Sequence, residues 1–280
     1  MRHASFKQSP GQALAGLLSR IREYWMWVAV VATAGIVFFS APGSYTGTSH
    51  AILHGLCAQT PSHTIRFGDQ MLPFDARMTG IYGGFIITLL SIAIRGRLFS
   101  YGNPPKPVIA VLVMLVGLMA SDGFNSLLTD LMFWHPWESS NSLRVATGYG
   151  TGVALAVALS WILASSAWNL GSPGVAVDRL RDLAVPLAGL GAYGVSLVAS
   201  PPWLHFPVSM LLVISAWLTV TLLMLVIVLL TLKLDSRVRQ IRHLHAPVAM
   251  SALLAVSVMI GLAALRFWAE RTFGISNVIM

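Results

Sequence analysis

Long apolar stretches alternate with short polar segments rich in arginine along the whole chain. Seven of these stretches are long enough for a helix to cross a hydrocarbon core about 30 Å thick. They cover residues 25–41, 78–94, 107–133, 143–163, 183–199, 207–232 and 246–268. Ahead of them, residues 9–22 carry a helical period. Leu14, Leu17, Leu18 and Ile21 share one face, Ser9 stands where a cap belongs and Pro10 fits the first turn. The pattern predicts an all-α polytopic membrane bundle of about seven transmembrane helices, preceded by an amphipathic helix on the membrane surface. Residues 42–76 form the longest gap between spans. Their mixture of Gly, Pro, aromatic and apolar residues predicts an ordered loop folded back on the bundle.

Two of the spans begin alike. One opens Arg77-Met78-Thr79-Gly80-Ile81-Tyr82-Gly83-Gly84, the other Arg144-Val145-Ala146-Thr147-Gly148-Tyr149-Gly150-Thr151-Gly152. Each sets an arginine before Thr-Gly-x-x-x-Gly. Gly80 with Gly84, and Gly148 with Gly152, have the small-xxx-small spacing that lets helices pack closely. The duplication predicts a parallel repeat of spans one and two by spans three and four, about an axis normal to the membrane. The chain then divides into a cytoplasmic interfacial helix (1–24), a core membrane region with the repeat and the long loop (25–155) and additional transmembrane helices (156–280).

The basic residues orient the bundle. With the N-terminus in the cytoplasm, Arg2, Lys7, Arg20, Arg22, Arg95, Arg97, Lys106, Arg179, Arg181, Lys233, Arg237, Arg239 and Arg242 lie inside. Arg66, Arg77, Arg144, Arg266 and Arg271 lie outside. Thirteen of the 18 basic residues are then internal, which predicts N-in, C-out. Trp25 and Trp27 at the inner level, and Trp134, Trp137, Trp203 and Trp268 at the outer, suit the interfacial belts. The first apolar run is read as a retained anchor, since Pro42 stands where a signal peptide would have to be cut.

Composition agrees. Only 10% of residues are charged and the mean hydropathy is +0.73, too apolar for a soluble protein of this size. A net charge of +8 would suggest nucleic acid in a soluble protein. In a membrane protein it points to anionic lipid headgroups on the cytoplasmic side, most of all along Lys233 to His245. One cysteine, Cys57, excludes an internal disulfide. Asp178, Arg179, Arg181 and Asp182 read as a solvated, self-paired turn.

The stretch Leu56-Cys57-Ala58-Gln59-Thr60-Pro61-Ser62-His63, then Phe67-Gly68, then Ala76 to Phe85, resembles a family of prokaryotic membrane proteins catalogued as domain of unknown function 2085. Asp122-Gly123-Phe124-Asn125 and Arg144 to Gly148 look like its second block. The resemblance covers about residues 50–155 and implies a fold but no assigned activity. The family often has a second cysteine where Asp75 stands here, and a histidine where Ala58 stands, so a two-thiolate site inferred for relatives does not carry over.

Two constellations are candidates for chemistry. Asp122, Asn125, Ser126 and Thr129 form a polar stripe on the third span. Asp122 lies about 22 Å along that helix, past the midplane. A carboxylate there costs about 2.5–3.5 kcal/mol unless it faces the bundle and finds a partner. Arg77 and Arg144 are the expected partners, with Asp75 and Asp130 within reach. The first reading is a buried ion-pair network that fixes helix register. The functional alternative is a basic pocket for an anionic group, or a proton or ion site, and the third is snorkelling of the arginines toward lipid headgroups. The second constellation is His50, His54 and Cys57 at i, i+4 and i+7, with His63 following. If residues 49–58 are helical, the first reading is a short interfacial helix whose histidines face the headgroups, and the functional alternative is a mixed ligand set for a divalent metal ion. Nucleotide-binding loops, HExxH and nucleophile elbows do not occur.

These features predict a small transporter, channel or lipid-handling protein with an outward-facing polar pocket. A metal-dependent membrane-embedded enzyme using the outer loop is one alternative. The other is an accessory subunit whose glycine faces dock a membrane-protein partner.

Overall fold

The computed structural model describes residues 24–36, 45–167, 174–233 and 244–274. The expected surface helix over 9–22 and the basic residues Arg237, Arg239 and Arg242 lie outside them. The order is α1 (Tyr24–Ile36), α2 (Tyr45–Leu53), a hairpin of β1 (Thr64–Phe67) and β2 (Gln70–Asp75), then α3 (Ala76–Ile94), α4 (Lys106–Asp130), α5 (Asn141–Ala167), α6 (Ala184–Ala199), α7 (His205–Thr231) and α8 (His245–Phe273). Among the described residues six helices, from α3 to α8, are long and apolar enough to cross a membrane. In α1 only 24–36 is described, so the remainder of the expected first span falls outside. The fold is an all-α polytopic bundle with one small hairpin at one end.

Local chemistry sets the joints. The Asp75 side chain accepts from the Met78 amide at 2.8 Å and caps α3 directly after β2. Pro107 fits the first turn of α4, where no amide donor is needed. Gly68 turns the hairpin at φ +62° and Gly274 ends α8 at φ +64°, both left-handed conformations open to glycine.

Strands β1 and β2 pair antiparallel, Phe67 opposite Gln70 and Arg66 opposite Met71, with a bulge between Thr64 and Arg66. The expectation of an ordered loop leaning on the bundle is what the described residues display, although the strands themselves were not anticipated. Thr-Ile-Arg-Phe, then Gly-Asp, then an apolar run is the missed signal. The hairpin is part of the core. Phe67, Leu72 and Phe74 are buried in the same cluster as Tyr82, Tyr149, Tyr193 and Leu212. Phe74 stacks on Tyr82 with centroids 4.7 Å apart.

Two local expectations fail. Helix α2 stops at Leu53 and the chain turns, so residues 49–58 are not one helix and His50, His54 and Cys57 lose their shared face. The 178–182 turn is not self-contained either. Asp182 reaches across to Arg95 at 3.3 Å and Arg97 at 3.0 Å, tying α6 to the end of α3.

Candidate functional site

The site is organised by the pair α3 and α5. Both start at the hairpin end, and their glycines interlock reciprocally. A Cβ on Gly80 would strike the Val145 carbonyl, and one on Gly148 the Arg77 carbonyl. Gly84 faces the Tyr149 carbonyl and Gly152 the Ile81 carbonyl in the same way. Each contact is side-chain-free backbone against backbone, which only glycine permits. Because successive contacts rise together along both helices, the two run parallel. The position three residues before the first motif glycine is Arg77 in α3 and Val145 in α5. In α5 the arginine stands one residue earlier, at Arg144. That offset turns it about 100° around the helix and brings both guanidinium groups to the flank where α4 lies.

On that flank the polar stripe of α4 meets the arginines. Arg77 Nη2 lies 2.8 Å from Asp122 Oδ2, and Thr147 donates to the same oxygen at 3.3 Å. Arg144 does not bond Asp122. Its Nη2 donates to Ser126 at 2.8 Å and its Nη1 to Asn141 at 2.9 Å. Asn125 donates to the Trp137 carbonyl at 2.9 Å. Asp122 is only 1% exposed, yet Asp122 Oδ1, Arg77 Nε and Arg144 Nε are buried without a protein partner. Asp75 is occupied as the α3 cap. Asp130, half exposed, faces His63 at 3.8 Å.

The opposite flank is open. A cleft of about 860 Å3 lies between β1, the first turns of α5 and the second half of α6. It contains none of Arg77, Asp122 and Arg144. Its rim carries Thr64, Arg66, Asn141, Ser142 and Ser200. Its deeper walls are Val145, Leu190, Gly191, Gly194 and Val195. Nothing stands within 4 Å of a Cβ on Gly191 or Gly194, whereas Gly189 on the same helix packs against the Tyr149 hydroxyl. From Leu190 to Ser200 the wall rises about 15 Å, half of a hydrocarbon core about 30 Å thick. The charge pattern of the sequence identifies Arg66 only as an outer cation. The run Gly189-x-Gly191-x-x-Gly194 was the available sign of a small-residue face.

The expected metal ligands do not converge, and most are engaged elsewhere, although His50 Nδ1 is buried without a partner. Among the described residues no three His, Cys, Asp or Glu side chains converge on one point. His50 Nε2 donates to the Met71 carbonyl at 3.2 Å, and His205 Nε2 to the same carbonyl at 2.9 Å. His205 Nδ1 meets the Tyr45 hydroxyl at 2.8 Å. His54 sits between Gln59 Oε1 at 2.9 Å and Glu270 Oε2 at 2.8 Å. The Gln59 amide is fixed in that orientation because its Nε2 donates to the carbonyls of His50 and Pro73. Arg266 closes the turn from α8, donating to Glu270 and to the carbonyls of His54, Cys57 and Ala58. Burial, followed by the nearby Asp75 charge, pushes the Cys57 thiol up to about 12. A thiol so disposed is a packed side chain that accepts the Gln59 and Asp75 amides. Burial likewise holds His50 and His63 below the ordinary histidine value.

Residues 57–158 match the model of the family described as "Predicted membrane protein (DUF2085)". The match spans less than half of the 280-residue chain. That region holds β1, β2, α3, α4 and most of α5, and so both glycine motifs and the whole charged layer. The α6 wall of the open cleft, and the α8 residues that clamp the 54–59 turn, lie beyond it. No curated protein and no solved structure matches the chain.

Proposed function

We propose that this membrane protein binds a lipid in the cleft between α5 and α6 and acts as a lipid-handling protein of the outer leaflet. The observation that carries this reading is the cleft itself. It is one leaflet deep, polar at the hairpin end and apolar below, and its small-residue wall leaves room for a chain. Its volume of about 860 Å3 falls in the range of ligand sites, about 300–1,000 Å3. A groove of this kind on a helix bundle in a bilayer is filled by an acyl chain, because water finds no partners along it. The hairpin end is assigned to the outer face because, among the described residues, Arg95, Arg97, Lys106, Arg179, Arg181 and Lys233 stand at the helix ends away from it.

The charged layer on the other flank is assigned a fastening role: Arg77, Asp122, Thr147, Arg144 and Ser126 hold α4 to the pair. The unpartnered Asp122 Oδ1 favours a second reading, in which the layer is a proton or ion site of a small transporter.

The test is native mass spectrometry of the protein purified in mild detergent. Wild type should retain one lipid, and Gly191→Leu/Gly194→Leu should lose it, since a Cβ at either position meets nothing within 4 Å and both glycines line the cleft. Equal retention by both would refute the reading. Proton or ion flux in liposomes that Asp122→Asn abolishes and the leucine variant leaves intact would establish the second reading instead.

A further inference from the structure

The cleft has a headgroup end, and its chemistry is one-sided. Among the residues lining it, Arg66 is the only one that carries a charge. Arg66 is exposed and has no carboxylate or hydrogen-bonding partner among the described residues. Asp69, the acidic residue next along the hairpin, is not among the cleft walls. The other polar groups of the rim are mostly committed. Thr64 donates to the Thr60 carbonyl, Ser200 to the Leu197 carbonyl, and Asn141 binds both the Ser62 carbonyl and Arg144. The exposed Ser142 hydroxyl has no such commitment. What remains is a guanidinium and a hydroxyl, both able to donate.

We propose that the cleft selects an anionic phospholipid, with the phosphate held by Arg66 and Ser142 and one chain laid along Gly191 and Gly194. The proposal rests on the lipid-binding reading of the same cleft and adds its headgroup class. A guanidinium donates two parallel bonds to a phosphate, a geometry a point charge does not provide. A zwitterionic lipid brings the same phosphate but adds an ammonium group, and the rim holds no carboxylate to receive it. The contrast with the other flank is chemical. There the two arginines are already engaged by Asp122, Ser126 and Asn141. Here the arginine is left for a ligand. Strand β1 positions it, and the Asn141–Ser62 contact at 3.3 Å ties the turn just before that strand to the start of α5.

Basic residues elsewhere also attract anionic lipid, so the readout must be confined to the cleft. Nanodiscs of phosphatidylcholine and phosphatidylglycerol, each with a diazirine in the acyl chain, are irradiated around the full-length protein. Lipid cross-linked to peptides of β1 and of residues 190–200 is then identified. Wild type should capture phosphatidylglycerol several-fold above its share in the disc, and high salt should erode the excess. Arg66→Ala should bring the captured lipid to the bulk composition, and Arg66→Lys should restore part of the preference. An unchanged preference in Arg66→Ala would overturn the headgroup assignment while leaving a lipid site in place. No cross-linking to these peptides in wild type would instead overturn the lipid-binding reading on which it rests.

Discussion

The two flanks of the α3–α5 pair start from nearly the same sequence and end in opposite chemistry. Toward α4, two arginines, a carboxylate and the hydroxyls of Thr147 and Ser126 form a layer that closes the flank. Toward α6, Val145 stands where symmetry with Arg77 would have set a cation, and the flank stays open and apolar beneath its rim. One residue of offset between the two motif copies makes this difference. It teaches that a repeat can supply a rigid centre through its glycines while a shift in a neighbouring residue gives the two sides separate work. One side fastens a helix. The other, on our reading, takes a lipid.

The comparison is broken most severely by removing the carboxylate of the closed flank. Asp122→Ala leaves Arg77 and Thr147 without their acceptor. It should cost about 3 kcal/mol, the lower end of the usual ~3–5 for a broken buried pair because Arg77 is partly open. Asp122→Leu with Arg77→Leu should cost much less. Thermal unfolding in detergent measures both, and a double variant no more stable than the single would show that the pair is not what holds α4.

Next in size is the centre itself. Gly80→Ala or Gly148→Ala drives a Cβ into a backbone carbonyl that has no flexible end to yield. About 1–3 kcal/mol should be lost, as for other overpacked sites. Gly117→Ala and Gly261→Ala, where nothing stands within 4 Å, should be neutral in the same assay. Equal effects at all four would mean that the interlock is not the rigid centre.

Much of the bundle was readable beforehand because hydropathy and span length are local properties. Residue Asp122 and the arginines were also readable, since a carboxylate inside an apolar span demands a cation. What the pattern could not give was which arginine. Arg77 and Arg144 both precede Thr-Gly-x-x-x-Gly, offset by one residue, and only the helix-pair geometry turns that offset into Asp122 for the first and Ser126 for the second. The His50, His54, Cys57 spacing failed for a related reason. It presumed a helix that stops at Leu53, and the turn after it is set by Gln59 and Arg266, the latter more than 200 positions away. The cleft was invisible because its walls come from β1, α5 and α6, and no single segment announces it.

Smaller effects sharpen the account of the hairpin end. Burial lowers the His50 pKa, so the folded protein favours neutral His50 and the unfolded chain binds more protons in acid. Stability from this residue is therefore complete above about pH 6.5, the ordinary histidine value, and is lost as pH falls through the lower folded value. Wild-type Tm should drop on acidification from pH 7.5 to 5, and His50→Gln should flatten part of that slope. His63 has the same sign and should account for some of the remainder. An unchanged slope in His50→Gln would contradict the burial argument. Smallest of all, Cys57 should resist maleimide in the folded state, and Cys57→Ala should leave bound metal unaltered by elemental analysis.

The most direct measurement is a cryo-electron microscopy map of the protein in nanodiscs containing phosphatidylglycerol. The account predicts an elongated density along Gly191 and Gly194, about one leaflet long, with its head beside Arg66. A map in which α6 closes onto α5, or in which the cleft is clear of lipid while other grooves are filled, would contradict it.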